Sequence, residues 1–97
     1  LVKIHPKFAE AYLNKGIILF KLQKYEEAIK THDKVIQFKK DEPIAYNNKG
    51  VCLFKLKKYQ EAIKNYNLAL KYEPNYLDAY MISMYTSDLR AINHKNK

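Results

Sequence analysis

Leu19-Phe20-Lys21-Leu22-Gln23-Lys24-Tyr25-Glu26-Glu27-Ala28-Ile29-Lys30 returns 34 residues later as Leu53-Phe54-Lys55-Leu56-Lys57-Lys58-Tyr59-Gln60-Glu61-Ala62-Ile63-Lys64, and only the pairs Gln23/Lys57 and Glu26/Gln60 differ. The register extends outward on both sides. Tyr12, Asn14, Lys15 and Gly16 recur as Tyr46, Asn48, Lys49 and Gly50; Tyr80 adds a third tier to Tyr12 and Tyr46, and Pro6 answers Pro74. A fixed period of this length is the signature of a solenoid, whose units bury their apolar faces only by stacking on one another. Function in such a chain is to be sought on the stacked surface before any catalytic pocket.

The period contains two helical patterns. The first spans about Lys7 to Leu22, with Tyr12, Gly16 and Leu19 on one stripe. The second spans Tyr25 to Phe38 and carries Tyr25, Ala28, Ile29, His32, Val35 and Ile36 on one face. A second pair follows from Pro43 to Leu56 and from Tyr59 to Tyr72, with Pro43 suited to a first helical turn. Asn75 and Asp78 have capping-box spacing, which opens a fifth helix running to about Ile92 before the polar tail 93–97. Gly16 and Gly50 are the only glycines, and Pro6, Pro43 and Pro74 fall at joints, so breakers are absent where helices run. The fold class is all-α.

The 97 residues make one small domain, which buries about two thirds of the surface its unfolded chain would expose. The formal charge of +8 comes from lysine, with Arg90 the single arginine. Lysine is a hydrated point charge, whereas reading base edges relies on the planar arginine fork, so general attraction to anions is favoured over sequence reading of DNA. Cys52 is the sole cysteine, which excludes an internal disulfide and fits a reducing compartment. No apolar run reaches the roughly 20 residues of a membrane span. The expected location is intracellular, in the cytoplasm with an organelle as the alternative.

These residues resemble the tetratricopeptide repeat, a helix-turn-helix unit of the same period. The family places an aromatic early in its first helix (Tyr12, Tyr46) and a small residue one turn later (Gly16, Gly50). Its second helix opens on an aromatic (Tyr25, Tyr59), and a small residue follows (Ala28, Ala62). The resemblance implies a right-handed superhelical stack of antiparallel helix pairs: repeats at 9–42 and 43–76, a capping helix at 77–92, and the end of a preceding repeat at 1–6, with Leu1 and Ile4 in core register. The chain is expected to continue upstream. Gly16 is expected to admit close approach at the level of Ala28, and Gly50 at Ala62, with the tyrosines filling the wedge between hairpins. Lys15 and Lys49 stand where the family usually has leucine, His32 where it has an aromatic, and Met84 at the third glycine position.

The resemblance further implies a concave groove lined by the first helix of each unit, which takes an extended peptide or a partner helix. By register its residues are Leu13, Asn14, Ile17 and Lys21, then Asn47, Asn48, Val51 and Lys55, then Met81 and Ile82, flanked by Glu10, Ile44, Asp78 and Tyr85. Asn14 and Asn48 could each donate to and accept from a peptide backbone. Leu13, Ile17, Val51, Met81 and Ile82 suit the apolar ridge of an amphipathic helix, and equally suit packing between repeats. Family members that hold the carboxylate tails of heat-shock chaperones use lysine, asparagine and arginine at positions occupied here by Leu13, Ile17, Asn48, Asp78 and Ile82, so only Asn48 fits. A chaperone-tail adaptor is disfavoured.

Lys21, Lys24, Lys55, Lys57 and Lys58 cluster near the turns inside the hairpins, and stacking would line them along one edge. That edge could attract an acidic peptide, an RNA backbone or anionic lipid, or serve as a solvated surface. An RNA-associated or organellar structural subunit using this edge is the alternative reading; self-association is a further expectation. His5, His32 and His94 have no metal-ligand spacing, and no phosphate loop or serine elbow is present. No metal, cofactor or catalytic residue is expected: His32 falls in core register, and Glu26 and Glu27 sit at a helix start that favours carboxylates.

Overall fold

Five helices follow one another with short connections: α1 Pro6–Lys21, α2 Tyr25–Phe38, α3 Pro43–Lys55, α4 Tyr59–Tyr72 and α5 Leu77–Lys95. The computed structural model describes the backbone of residues 6–95 and the side chains of 8–76, Ala79 and 82–92. There is no strand among the described residues. α1 packs on α2 and α3 on α4; α3 lies against α2 and α5 against α4, so the hairpins stack in chain order. The stack measures 49 × 29 × 21 Å, longer in one direction as a linear array is.

The helix limits differ from the sequence expectation at both ends. Pro6 opens α1, where the sequence pattern placed the start at about Lys7; Leu1, Val2, Ile4 and His5, expected to end a preceding repeat, lie outside the described residues. α5 starts at Leu77 because Pro74 and Asn75 form a turn, closed by the Tyr76 N–H donating to the Glu73 carbonyl at 3.0 Å. Asn75 therefore stands before the capping position, not at it. At the other end Asn93, His94 and Lys95 continue α5. Polarity alone marked them as tail, but none is a helix breaker.

Both turns within the hairpins use one device. Lys24 N–H reaches back to the Leu19 carbonyl and Gln23 N–H to that of Phe20; Lys58 and Lys57 do the same to Leu53 and Phe54, all at 2.9 Å. This is the paired closure of a Schellman end, and it places Gln23 and Lys57 at φ 62. Glycine ordinarily serves there, so the sequence held no cue to this conformation. Pro43 takes the first position of α3, where the missing N–H is not needed.

The core is built from repeating positions. Ala62, Leu53 and Tyr66 form one buried cluster, with Ile29, Val51, Phe54 and Ile82 against it; Tyr46, Ala69 and Ala79 form another with Ile36, Leu68, Leu70 and Tyr76. Tyr46 fills the wedge between hairpins as expected, stacks on Tyr72 at 5.7 Å and donates to the Lys40 carbonyl at 2.7 Å. Tyr12 meets Phe38 at 6.0 Å in the first unit. The side chain of Tyr80 lies outside the described residues.

The two glycines admit a different neighbour from the one expected. A Cβ on Gly16 would fall 2.5 Å from Cε1 and Nε2 of His32, and one on Gly50 would overlap Cε1 and Cδ1 of Tyr66. Ala28 and Ala62 are buried, yet it is the large ring one turn further on that uses the gap. Lys49 also acquires a reason for replacing leucine: its ammonium pairs with Asp33 of the preceding hairpin at 2.6 Å.

Candidate functional site

Stacking sets α1, α3 and α5 in register, so that Asn14, Asn48 and Ile82 hold equivalent positions. Between the first two of these helices, Ile17, Lys21, Asn48 and Val51 come together with Phe20 and His32 around a pocket of about 270 Å³. Ile17 and Lys21 are exposed at its rim; Asn48, Val51 and Phe20 are half-buried walls. Phe20 also packs against Tyr25, ring to ring at 5.5 Å.

Other expected groove residues are distributed differently. Asn14 and Lys55 are exposed and Leu13 is half-buried, but the pocket is not built from them. Asn47 is buried, 7% exposed, with no partner for its Oδ1, so it does not stand on an open wall. Ile82 packs against Leu53, Ala62 and Tyr66. The side chains of Met81 and Asp78 lie outside the described residues. Lys21, Lys24, Lys55, Lys57 and Lys58 are all exposed, with the last two and Lys24 at the left-handed turns.

Phe20 and His32 were not expected in the site. Phe20 repeats as Phe54 and reads as ordinary core; the signal for His32 was its mismatch with Tyr66 one period on. The imidazole is fully buried, and neither Nδ1 nor Nε2 has a hydrogen-bond partner. Burial lowers its pKa to about 4, against an opposing pull from Asp33. At neutral pH the ring is therefore uncharged, with one donor and one acceptor nitrogen. Leaving such groups unsatisfied costs roughly 1–3 kcal/mol each.

Cys52 is buried, and desolvation raises its pKa to about 11, so it remains a thiol and a poor nucleophile. Among the described residues no group of three His, Cys, Asp or Glu side chains could hold a metal ion, and no helix is long and apolar enough to cross a membrane.

Known proteins place this geometry in context. The second TPR domain of Spaghetti (RPAP3), solved with the HSP90 peptide SRMEEVD, aligns with a TM-score of 0.83 at 24% identity, over 86% of this chain and 77% of that one. The TPR2AB domain of yeast Sti1, described as a pHSP90 complex, aligns with a TM-score of 0.85 at 26% identity, over 89% of this chain and 33% of the other. No curated protein gives a significant match. The tetratricopeptide repeat model matches residues 9–42 and 43–76, which together span both hairpins and most of the chain. With both units matched and the helices stacked as in solved TPR domains, the chain belongs to the tetratricopeptide repeat family.

Proposed function

We propose that the protein is a non-catalytic interaction module whose groove face, formed by α1, α3 and α5, takes an extended peptide or an amphipathic helix of a partner protein. The observation that carries this reading is the convergence of Ile17, Lys21, Asn48 and Val51 on one open, largely apolar pocket between successive first helices. Such concave sites with a few polar groups are the usual places for ligands. The two solved relatives, both described as bound to HSP90 or its peptide, support peptide binding as the mode. Their ligand does not carry over with equal force. Leu13, Ile17 and Ile82 stand where chaperone-tail binders hold polar or basic side chains, and only Asn48 fits.

Pull-down from a native extract tests the reading, comparing wild type with Asn14→Ala plus Asn48→Ala. Loss of a captured protein in the variant, with helix content unchanged, supports it; equal capture by both would remove the groove from the account. The peptide SRMEEVD serves as the control and is expected to bind at least tenfold more weakly to this chain than to the Spaghetti domain.

Self-association is the second part of the proposal. Ala11, Ile18 and Leu22 are exposed along α1, whereas Ala45 and Cys52, the α3 counterparts of Ala11 and Ile18, are fully buried in the stack. A second copy that covers this α1 face would extend the array by one more junction.

A further inference from the structure

The molecule contains the pocket's own control. Advancing each pocket residue by one period gives Val51, Phe54, Lys55, Tyr66, Ile82 and Tyr85, the matching positions at the next junction. The aromatic pairs beneath the two junctions are alike: Phe20 on Tyr25 at 5.5 Å and 59°, Phe54 on Tyr59 at 5.6 Å and 57°. Above them the junctions differ. At the second, Ile82 packs onto Leu53, Ala62 and Tyr66, and the ring of Tyr85 lies on Phe54 at 5.9 Å. At the first, three smaller side chains stand in the same places: His32 for Tyr66, Asn48 for Ile82 and Val51 for Tyr85. The space left is the pocket of about 270 Å³.

That volume falls just below the roughly 300–1,000 Å³ of sites that take whole small ligands, so it suits a single large side chain. The second junction shows which kind of group rests beside this phenylalanine, because Tyr85 places a phenol ring there. The polar groups are more selective. The half-buried Asn48 amide offers a donor and an acceptor at the wall, whereas the buried His32 ring lines the floor with its nitrogens turned under Gly16. A phenol combines an apolar ring for Ile17, Phe20 and Val51 with a hydroxyl that both donates and accepts. A phenylalanine ring would make no hydrogen bond to the Asn48 amide, and a carboxylate could only accept. Lys21 is the charged side chain at the rim, the Asp33 carboxylate near His32 is paired with Lys49, Lys55 repeats Lys21 one unit on, and the chain carries +8. A segment seated here is favoured electrostatically if it is acidic.

We propose that the pocket between Ile17, Phe20, His32, Asn48 and Val51 is an anchor subsite for a tyrosine side chain carried on an acidic segment of a partner protein, an inference that rests on the groove reading above.

The test uses the full chain and the peptide acetyl-Glu-Glu-Ser-Tyr-Ser-Glu-Glu-amide, with Phe and Ala versions, measured by calorimetry. The Tyr peptide is expected to bind about fivefold more tightly than the Phe peptide, the ratio one neutral hydrogen bond supplies, and at least tenfold more tightly than the Ala peptide. His32→Tyr with Asn48→Ile copies side chains the second junction already accommodates; it is expected to fold and to lower Tyr-peptide binding to the Ala level. Val51→Tyr plugs the pocket from another wall and gives the same answer should the double variant misfold. Equal binding of Tyr and Phe peptides, or undiminished binding by the plugged variants, overturns the anchor while leaving the groove reading standing. Binding by none of the peptides overturns the anchor even where p-cresol shifts the Phe20 and His32 ring resonances, because the ring then enters without the acidic segment. Failure of both peptides and p-cresol overturns the anchor outright, as does single-stranded RNA displacing the Tyr peptide from wild type and plugged variants alike.

Discussion

His32 is where sequence, packing and chemistry meet. It occupies the position that Tyr66 fills one period later, faces the gap left by Gly16, and is buried without a partner for either ring nitrogen. Because burial lowers its pKa to about 4, from an ordinary value near 6.5, the unfolded chain takes up the proton more readily than the folded one. The stability that follows is fully present above about pH 6.5 and is lost as pH falls towards 4, amounting to roughly 3 kcal/mol. Urea unfolding followed between pH 7.5 and 4 should show that fall, and His32→Tyr should flatten it; an unchanged slope in the variant would mean other groups set the acid response. The glycines give a second residue-scale expectation. Gly50→Leu should cost several kcal/mol, because its side chain would enter the ring of Tyr66, and Gly16→Ala should cost less in a His32→Ala background than alone. Chemical denaturation measures both. A Gly50→Leu protein as stable as wild type would contradict the packing described here.

At the scale of helices, most of the fold was legible because it is written twice. Tyr25–Phe38 and Tyr59–Tyr72 follow directly from the period and from apolar spacing, and Pro43 marks its own helix start. The misreadings share a cause, which is that local composition underdetermines helix ends. Asn93 to Lys95 are polar yet helical, Asn75 turns before it can cap, and the left-handed Gln23 and Lys57 carry no glycine to announce them. Glycine avoids the steric cost of that conformation, offset in part by its greater freedom when unfolded. Lys57→Gly is therefore expected to stabilise the protein by about 0.5–1 kcal/mol in thermal or urea unfolding. Destabilisation by this change would show that the lysine side chain contributes more to the turn than its backbone strain removes. The site was legible in part for a related reason. Register alone gave Ile17, Lys21, Asn48 and Val51, but whether a groove residue is open or filled depends on its neighbour one unit away, as buried Asn47 and packed Ile82 show.

At the scale of the whole molecule, a linear stack has ends as well as a groove. The α1 stripe carrying Ala11, Ile18 and Leu22, with Lys15 between the first two, is exposed where the corresponding α3 residues Ala45 and Cys52 are buried, and the proposed self-association would cover it. Sedimentation at rising concentration should show self-association that Ile18→Lys with Leu22→Lys abolishes without loss of helix content; a strict monomer at all concentrations would show that this face is stable in water. The larger claim concerns the groove between neighbouring units, to which the proposed function is assigned. Its most direct test is amide NMR of the labelled chain titrated with a pool of acidic heptapeptides. Shifts concentrated on Ile17, Lys21, Asn48 and Val51 are the predicted result. Shifts confined to Lys24, Lys57 and Lys58 at the turns, or to Lys30 and Lys64 on α2 and α4, would contradict the account.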